Sequence, residues 1–368
     1  MKILYVTDQL YLHGGVEKML AQKLNYLVSI CGYEVILCTT EQKSNLFVYP
    51  INASVRHMDL EINYHREISY FHPSNLLKSV AHFRALRSIL ESEQPDVVVS
   101  ANYTPEQFLL PFICKHIPKV KEFHSSGVSI IKPRNLLEKL KQLLFHLFGK
   151  YDALVLLNED ERKYYPFTQV HVIPNFISIP KETPGLAKEK TILAAGRIAP
   201  VKQFDHLIKA WSLIADEHPD WEVQIYGDGD PELTGKLQDQ INALKISTIR
   251  LIGSTAQLDT EMQKASIYAM TSSTECFPMV LLEAQAAGLP IVSYDCPHGP
   301  RNIVTHEVNG LLTPSNEIPD FAEALNSLIN NKDLRKSMGE AAKENIKIYD
   351  EEHIMQQWVA LFTRLKIR

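Results

Sequence analysis

The chain is predicted to be an α/β protein of two doubly wound parallel-sheet domains, and three observations predict it. Short apolar runs rich in branched residues alternate with helix-length stretches, the pattern of βαβ units. The alternation breaks off at 178–190 (SIPKETPGLAKEK), where Pro, Gly and Lys gather without periodicity, and then starts afresh. A length of 368 residues is too great for one ordinary domain and comfortable for two.

Taken in order, Ile3–Thr7 is a short apolar run suited to a buried parallel strand. A loop ending in Gly14-Gly15 leads to a helical stretch over Val16–Ser29, and a second strand covers Tyr33–Thr39. Leu76–Leu90 reads as a helix and Asp96–Ser100 (DVVVS) as a buried strand. Lys119–His124 is predicted as a strand ending in a polar loop, and Ala153–Leu157 and Val170–Ile173 complete the first sheet. Beyond the break, strands are predicted at Thr191–Ala195, Glu222–Gly227, Ile249–Ile252, Ile267–Thr271 and Pro290–Tyr294. Helices fall at Phe204–Glu217, from Pro231, at Leu258–Lys264, Pro278–Ala287, Asp320–Asn330, Asp333–Ile348 and Glu351–Lys366. The expected organisation is therefore a Rossmann-like domain over 1–180, a second over 181–348, and a terminal helix over 349–368 packing back towards the first. Ligands of such sheets sit beyond the carboxyl ends of the strands, and two such edges facing each other make a cleft.

Hydrophobic residues make up 45% of the chain and charged residues 22%, the balance of a globular protein with substantial cores. The net charge of -5 is unevenly spread: residues 1–180 hold 19 Lys and Arg against 17 Asp and Glu, the remainder 19 against 26. An acidic second half argues against nucleic acid as a partner, since such scaffolds present a basic face. The five cysteines are odd in number and scattered without C-x-x-C, which reads as reduced thiols and neither a disulfide frame nor a zinc site. The sequence opens directly on a strand, without an apolar signal region, and has no run of about 18 apolar residues. The expectation is a cytoplasmic chain.

Three segments carry chemistry. In Glu275-Cys276-Phe277-Pro278-Met279-Val280-Leu281-Leu282-Glu283, Glu275 follows a strand and Glu283 lies on the second turn of the next helix. Each carboxylate can accept hydrogen bonds from two adjacent hydroxyls, and free N–H groups of Met279, Val280 and Leu281 would favour a phosphate. Against this stands the plain reading of one solvated loop residue and one surface helix position. Gly196-Arg197-Ile198-Ala199-Pro200-Val201-Lys202 brings two permanent cations to a strand end, as a diphosphate leaving group requires; the alternative is a pair of surface cations. Gly14-Gly15 permits a tight turn with N–H groups towards an anion, but the G-x-G-x-x-G spacing of a dinucleotide fingerprint is not met.

Together with YGDGDPE and HEVNGLL, the segments GGVE, AAGRIAPVK and ECFPMVLLEA stand in an order that resembles glycosyltransferase family 4 over essentially the whole chain. That resemblance implies the GT-B fold and a retaining transfer from a nucleotide-diphospho-sugar, commonly a UDP-sugar, without a cofactor or metal ion. It implies that Glu275 touches donor sugar hydroxyls, Glu283 the ribose, and Arg197 and Lys202 the diphosphate with help from Gly15 and Gly14. The amides of Met279, Val280 and Leu281 would meet sugar and phosphates, and Gly253, Ser254 and Leu258 the base. His124 in EFHSSG matches the family histidine near the reacting sugar, where an imidazole positions the donor or stabilises charge. Asn175 matches a hinge-proximal motif but lacks the usual glycine and acid after it.

In Cys296–Val304 (CPHGPRNIV), related enzymes of surface-polysaccharide or lipid-linked oligosaccharide assembly carry an acid where this chain has Asn302; His298 and Arg301 are candidates for lining the cleft or for a structural loop. Residues 132–150 (KPRNLLEKLKQLLFHLFGK) read as a basic amphipathic helix, with Lys132, Arg134, Lys139, Lys141 and Lys150 outnumbering Glu138. It either lies on an anionic bilayer or packs on a core with a solvated face. The expected acceptor is a glycan or a lipid-linked one, and a lipid-linked acceptor would give this helix a purpose at the inner membrane face. A nucleotide-sugar epimerase of the same fold and a non-catalytic sugar-nucleotide binder remain as alternatives.

Overall fold

The computed structural model describes residues 1–101, 103–127, 144–179 and 187–367. These fall into two compact units, Met1–Pro174 with Ile354–Arg368, and Asn175–His353. The second unit thus takes up the six residues before the break predicted at 180, and the closing helix Glu351–Lys366 begins in the second unit and ends in the first.

In the first unit, β1 (Lys2–Thr7), β2 (Glu34–Thr39), β3 (Arg56–Asp59), β4 (Val97–Ser100), β5 (Lys119–Glu122), β6 (Ala153–Leu156) and β7 (Val170–Val172) form one sheet in the order β3-β2-β1-β4-β5-β6-β7. Every pairing is parallel, with β1 between β2 and β4. In the second, β8 (Thr191–Ala195), β9 (Glu222–Tyr226), β10 (Ile249–Gly253), β11 (Ile267–Met270), β12 (Ile291–Tyr294) and β13 (Gly310–Thr313) are ordered β10-β9-β8-β11-β12-β13, again all parallel. The two doubly wound sheets are those expected. Central strands such as β4, β8 and β11 are buried along their whole length, as strands covered on both faces must be.

Two strands lie outside the expectation. β3 (RHMD) is an edge strand of mixed burial with no apolar run to signal it, and β13 is only four residues long. The predicted helix over 204–217 stops at Ser212 and gives way to a tight turn over Ala215–Glu217. Its Trp211 is fully buried in the core of this unit, and the indole N–H donates to Thr248 Oγ1 at 3.0 Å. The strand order reverses between β1 and β4 in the first sheet and between β8 and β11 in the second. Diverging connections leave a crevice at such points, beyond the carboxyl ends. Gly14-Gly15 follows β1, Gly196 follows β8, and Glu275 follows β11.

Candidate functional site

In the second unit, the loops after β8, β9 and β10 are stitched to one another by their backbones. Gly196 N–H donates to Tyr226 O at 3.0 Å, Ile198 N–H to Asp228 O at 2.9 Å, and Gly227 N–H to Gly253 O at 2.9 Å. Asp228 Oδ1 accepts from Ser254 N–H at 3.1 Å. A Cβ on Gly227 would lie 2.0 Å from Gly196 O, and one on Gly229 2.0 Å from Ile198 O. The glycines of YGDGDPE therefore permit close backbone packing that holds the Gly196–Lys202 loop in place. Arg197 on that loop is exposed and has no ion-pair partner among the described residues. The tight turn Pro200–Lys202 then swings Lys202 back, so that Nζ lies 2.6 Å from Glu275 Oε1, with 21% and 16% of the two side chains exposed.

Glu275 is held by its own backbone. Its N–H donates to Pro297 O at 3.1 Å, and its carbonyl accepts from His298 N–H and Gly299 N–H, both at 2.8 Å. The Asn302 side-chain amide donates to His298 O at 2.7 Å, and Tyr349 O–H donates to Asn302 O at 2.5 Å. Arg301 binds both oxygens of Asp295, at 2.8 and 2.5 Å. The CPHGPRN segment is thus a buttress for Glu275, with the His298 main chain as its working part. Asn302 serves that buttress as an amide, bridging to His298 by a neutral hydrogen bond.

Tyr268, central in β11, links the remaining groups. Its hydroxyl donates to Ala195 O at 3.1 Å and accepts from Ala195 N–H at 3.3 Å. Burial pushes this phenol well above its ordinary value, and the carboxylates of Glu283 and Glu275 add to the push. Both acids therefore bear on the point where β8 and β11 diverge. Glu283 is half-buried on helix Met279–Ala286. The expected free amides at this helix start number fewer than three, because Leu281 N–H donates to Pro278 O at 3.0 Å. Gly253 ends β10 and Leu258 opens helix Leu258–Lys264, with the exposed stretch Ser254–Gln257 between them. Burial together with Glu275 raises the Cys296 thiol to about 12, which keeps it protonated and unreactive.

The first unit arranges its candidates differently. Gly14 caps helix Gly15–Ser29, and a Cβ there would meet Glu17 Oε2 at 2.2 Å. Glu17 accepts from Gln9 Nε2 at 2.7 Å, so a carboxylate packs over the glycine turn that was expected to face an anion. Burial pushes this carboxyl up. His124 Nε2 lies 3.1 Å from Glu122 Oε2, and Lys23 Nζ lies 2.7 Å from the same oxygen. Neither Glu122 nor Lys23 stands out in the sequence, since each is one of several charges in its own element and so reads as solvent-facing. Asn175 is buried at the start of the second unit.

Of the basic stretch 132–150, residues 132–143 lie outside the described residues. Phe145 and Phe148, expected on its apolar face, are buried against Tyr165 and Phe123. Among the described residues, no helix is long and apolar enough to cross a membrane. No group of three or more His, Cys, Asp or Glu among them is placed to hold a metal ion.

Two family models match the chain in succession, Glycosyltransferase Family 4 over residues 13–180 and Glycosyl transferases group 1 over 177–345. The amylovoran biosynthesis glycosyltransferase AmsD of Erwinia amylovora is 26% identical over 371 residues, covering 97% of this chain and 98% of its own. An exopolysaccharide phosphotransferase of Streptomyces coelicolor is 36% identical over 225 residues, or 59% of this chain. An uncharacterized glycosyltransferase of Haemophilus influenzae is 33% identical over 228 residues, or 58%. The matches span 24% and 64% of those two relatives' lengths. Among solved structures, S. aureus TarM in complex with fondaparinux, alpha-GlcNAc-glycerol and UDP superposes with a TM-score of 0.77 at 16% identity, covering 98% of this chain and 99% of the other.

Proposed function

The chain belongs to the family-4-like glycosyltransferases of GT-B fold, and from that premise we propose that it moves a hexose or N-acetylhexosamine, with retention, from a UDP-sugar to a glycan or lipid-linked acceptor. Surface-polysaccharide assembly at the inner membrane face is the setting this reading assigns, supported by the amylovoran role of one full-length relative. UDP as the carrier is supported by its presence in the TarM complex.

The observation that carries the proposal is the Lys202–Glu275 contact at the reversal between β8 and β11, with Arg197 exposed on the same loop. A diphosphate arriving there meets two cations. Lys202 can exchange one carboxylate oxygen for a phosphate oxygen at small cost, because the pair is partly solvated. Glu275, released from Lys202, can then accept from sugar hydroxyls, and Glu283 from the ribose. As the bond between the anomeric carbon and the phosphate oxygen breaks, negative charge grows on the diphosphate, and Arg197 and Lys202 stabilise it most at that moment. The acceptor oxygen forms its bond to the anomeric carbon on the face the diphosphate leaves, and its proton passes to the departing phosphate. In this scheme the two cations do the work a metal ion does elsewhere, so activity should survive a chelator.

The test is a panel of nucleotide-diphospho-sugars incubated with the protein, with and without a membrane glycolipid fraction as acceptor. One donor should be consumed by slow hydrolysis alone and faster with acceptor. Conversion of a donor to an isomeric sugar nucleotide would instead mark an epimerase, and no turnover of any donor would sink the enzyme reading.

A further inference from the structure

Inside the first unit, two ionisable side chains converge on one carboxylate oxygen of a third. Glu122 ends β5, and its Oε2 receives Lys23 Nζ at 2.7 Å and His124 Nε2 at 3.1 Å. The Lys23 and Glu122 side chains are 3% and 2% exposed, and that of His124 6%. Lys23 Nζ also stands 3.9 Å from the ring centroid of Trp358, on helix Glu351–Lys366. An ionised carboxylate can only accept, so the proton on the histidine contact belongs to Nε2. A neutral imidazole then presents Nδ1 as a bare acceptor. Nδ1 is buried and has no partner among the described residues, a costly condition unless something fills it.

We propose that Glu122 is a positioning residue, which fixes His124 with its proton on Nε2 so that Nδ1 accepts a hydrogen bond from a sugar hydroxyl during transfer. Lys23, seated on Trp358, keeps Glu122 ionised for that task. This inference rests on the glycosyltransferase reading above, but it concerns Glu122 and Lys23, to which no motif gives a role.

The surroundings of the carboxylate are accounted for. Tyr5 from β1 has a buried hydroxyl without a partner among the described residues and feels the Glu122 charge. Glu17 on the helix after β1 feels His124, and Lys121 feels Glu122 from within the same strand. Burial opposes a charge on Glu122, but the Lys23 ammonium and the hydrogen bond from His124 outweigh it and hold the carboxyl at about 2. The anion beside the imidazole is therefore present throughout any assay range near neutrality.

Two readouts test the proposal. In the full-length protein labelled with 15N-histidine, the His124 signals are identified by their loss in His124→Asn. They should report a proton on Nε2 between pH 6 and 8 (on the order of the assay range), with the preference lost in Glu122→Gln. That readout needs no activity, so it stands or falls apart from the transferase reading. In kinetics, Glu122→Gln should lower kcat by at least about 10-fold and leave donor KM within about threefold.

Because the single substitution strands a buried lysine, the double variant Lys23→Met with Glu122→Gln removes both charges at nearly constant volume. Thermal stability close to the parent with kcat still depressed supports the proposal. Recovery of stability and kcat together would make the pair merely structural and overturn it. So would a proton on Nδ1 in the parent protein.

Discussion

At the carboxyl edge of the second sheet, Lys202 and Glu275 meet at 2.6 Å with about a fifth of each side chain exposed. In the first sheet, Lys23 and Glu122 meet at 2.7 Å with 3% and 2% exposed. The two pairs have almost the same geometry and opposite uses. A partly solvated pair contributes at most about 1 kcal/mol, so a ligand can open it and take both partners. A buried pair has already lost its hydration, and separating it leaves a charge with nowhere to go. The exposed pair thus suits a site that binds and releases, and the buried pair suits a frame that holds another group still.

The sharpest way to break that comparison is to remove one partner from each pair. Lys23→Ala should destabilise the fold by about 3–5 kcal/mol, read from urea denaturation, because Glu122 is left buried and uncompensated. Lys202→Ala should change stability by less than about 1 kcal/mol. Equal losses in the two variants would show that burial does not separate the pairs.

Catalysis should respond in the opposite sense. Arg197→Ala and Lys202→Ala should each cost about 2–4 kcal/mol of transition-state stabilisation, measured as kcat/KM with the working donor. Unchanged turnover of Arg197→Ala at saturating donor would remove the residue from the mechanism. Gly227→Ala tests the support beneath that loop. Its φ of +144° and the 2.0 Å approach of Gly196 O leave no room for a Cβ, so stability should fall by about 1–3 kcal/mol and donor affinity with it.

The last effect is a matter of pH. His82, fully buried beside Tyr64 O–H at 3.1 Å, is held neutral by burial, which lowers it from 6.5 to about 4. The folded state resists a proton that the unfolded chain accepts. Its contribution to stability is therefore full above pH 6.5 and lost as the pH falls towards 4. Glu122 acts lower down: its contribution is full above its ordinary 4.5 and is lost as the pH falls towards 2. Melting temperatures should decline first between 6.5 and 4, and His82→Gln should flatten that step but leave the more acid one.

The second unit's candidate site was legible in the sequence because its groups sit on loops at strand ends, where glycine, proline and charge have few structural reasons to gather. Gly196, Arg197, Lys202 and Glu275 all announce themselves in that way, and the fold brings Lys202 and Glu275 into contact. The first unit was legible as a sheet but opaque as chemistry. In β5 all four residues, Lys119, Val120, Lys121 and Glu122, are buried, though three carry charge and alternation would send some of them to solvent. Their partners, Lys23 on a helix, Ser100 on β4 and the carbonyls of Cys114 and Ile117, come from distant or irregular parts of the chain. No local pattern encodes such meetings. The buttressing of Glu275 by Pro297, His298 and Gly299 was hidden for the same reason, since it is made almost wholly by backbone atoms.

The claim at the centre of this account is that the open edge of the second sheet binds a nucleoside diphosphate through two cations. Calorimetric titration of UDP into the parent protein and into Arg197→Ala and Lys202→Ala tests it most directly. Each substitution should weaken the Kd by at least about 10-fold, equivalent to about 1.4 kcal/mol, with the loss shrinking as salt is raised. Equal affinity for UDP in all three proteins would contradict the account.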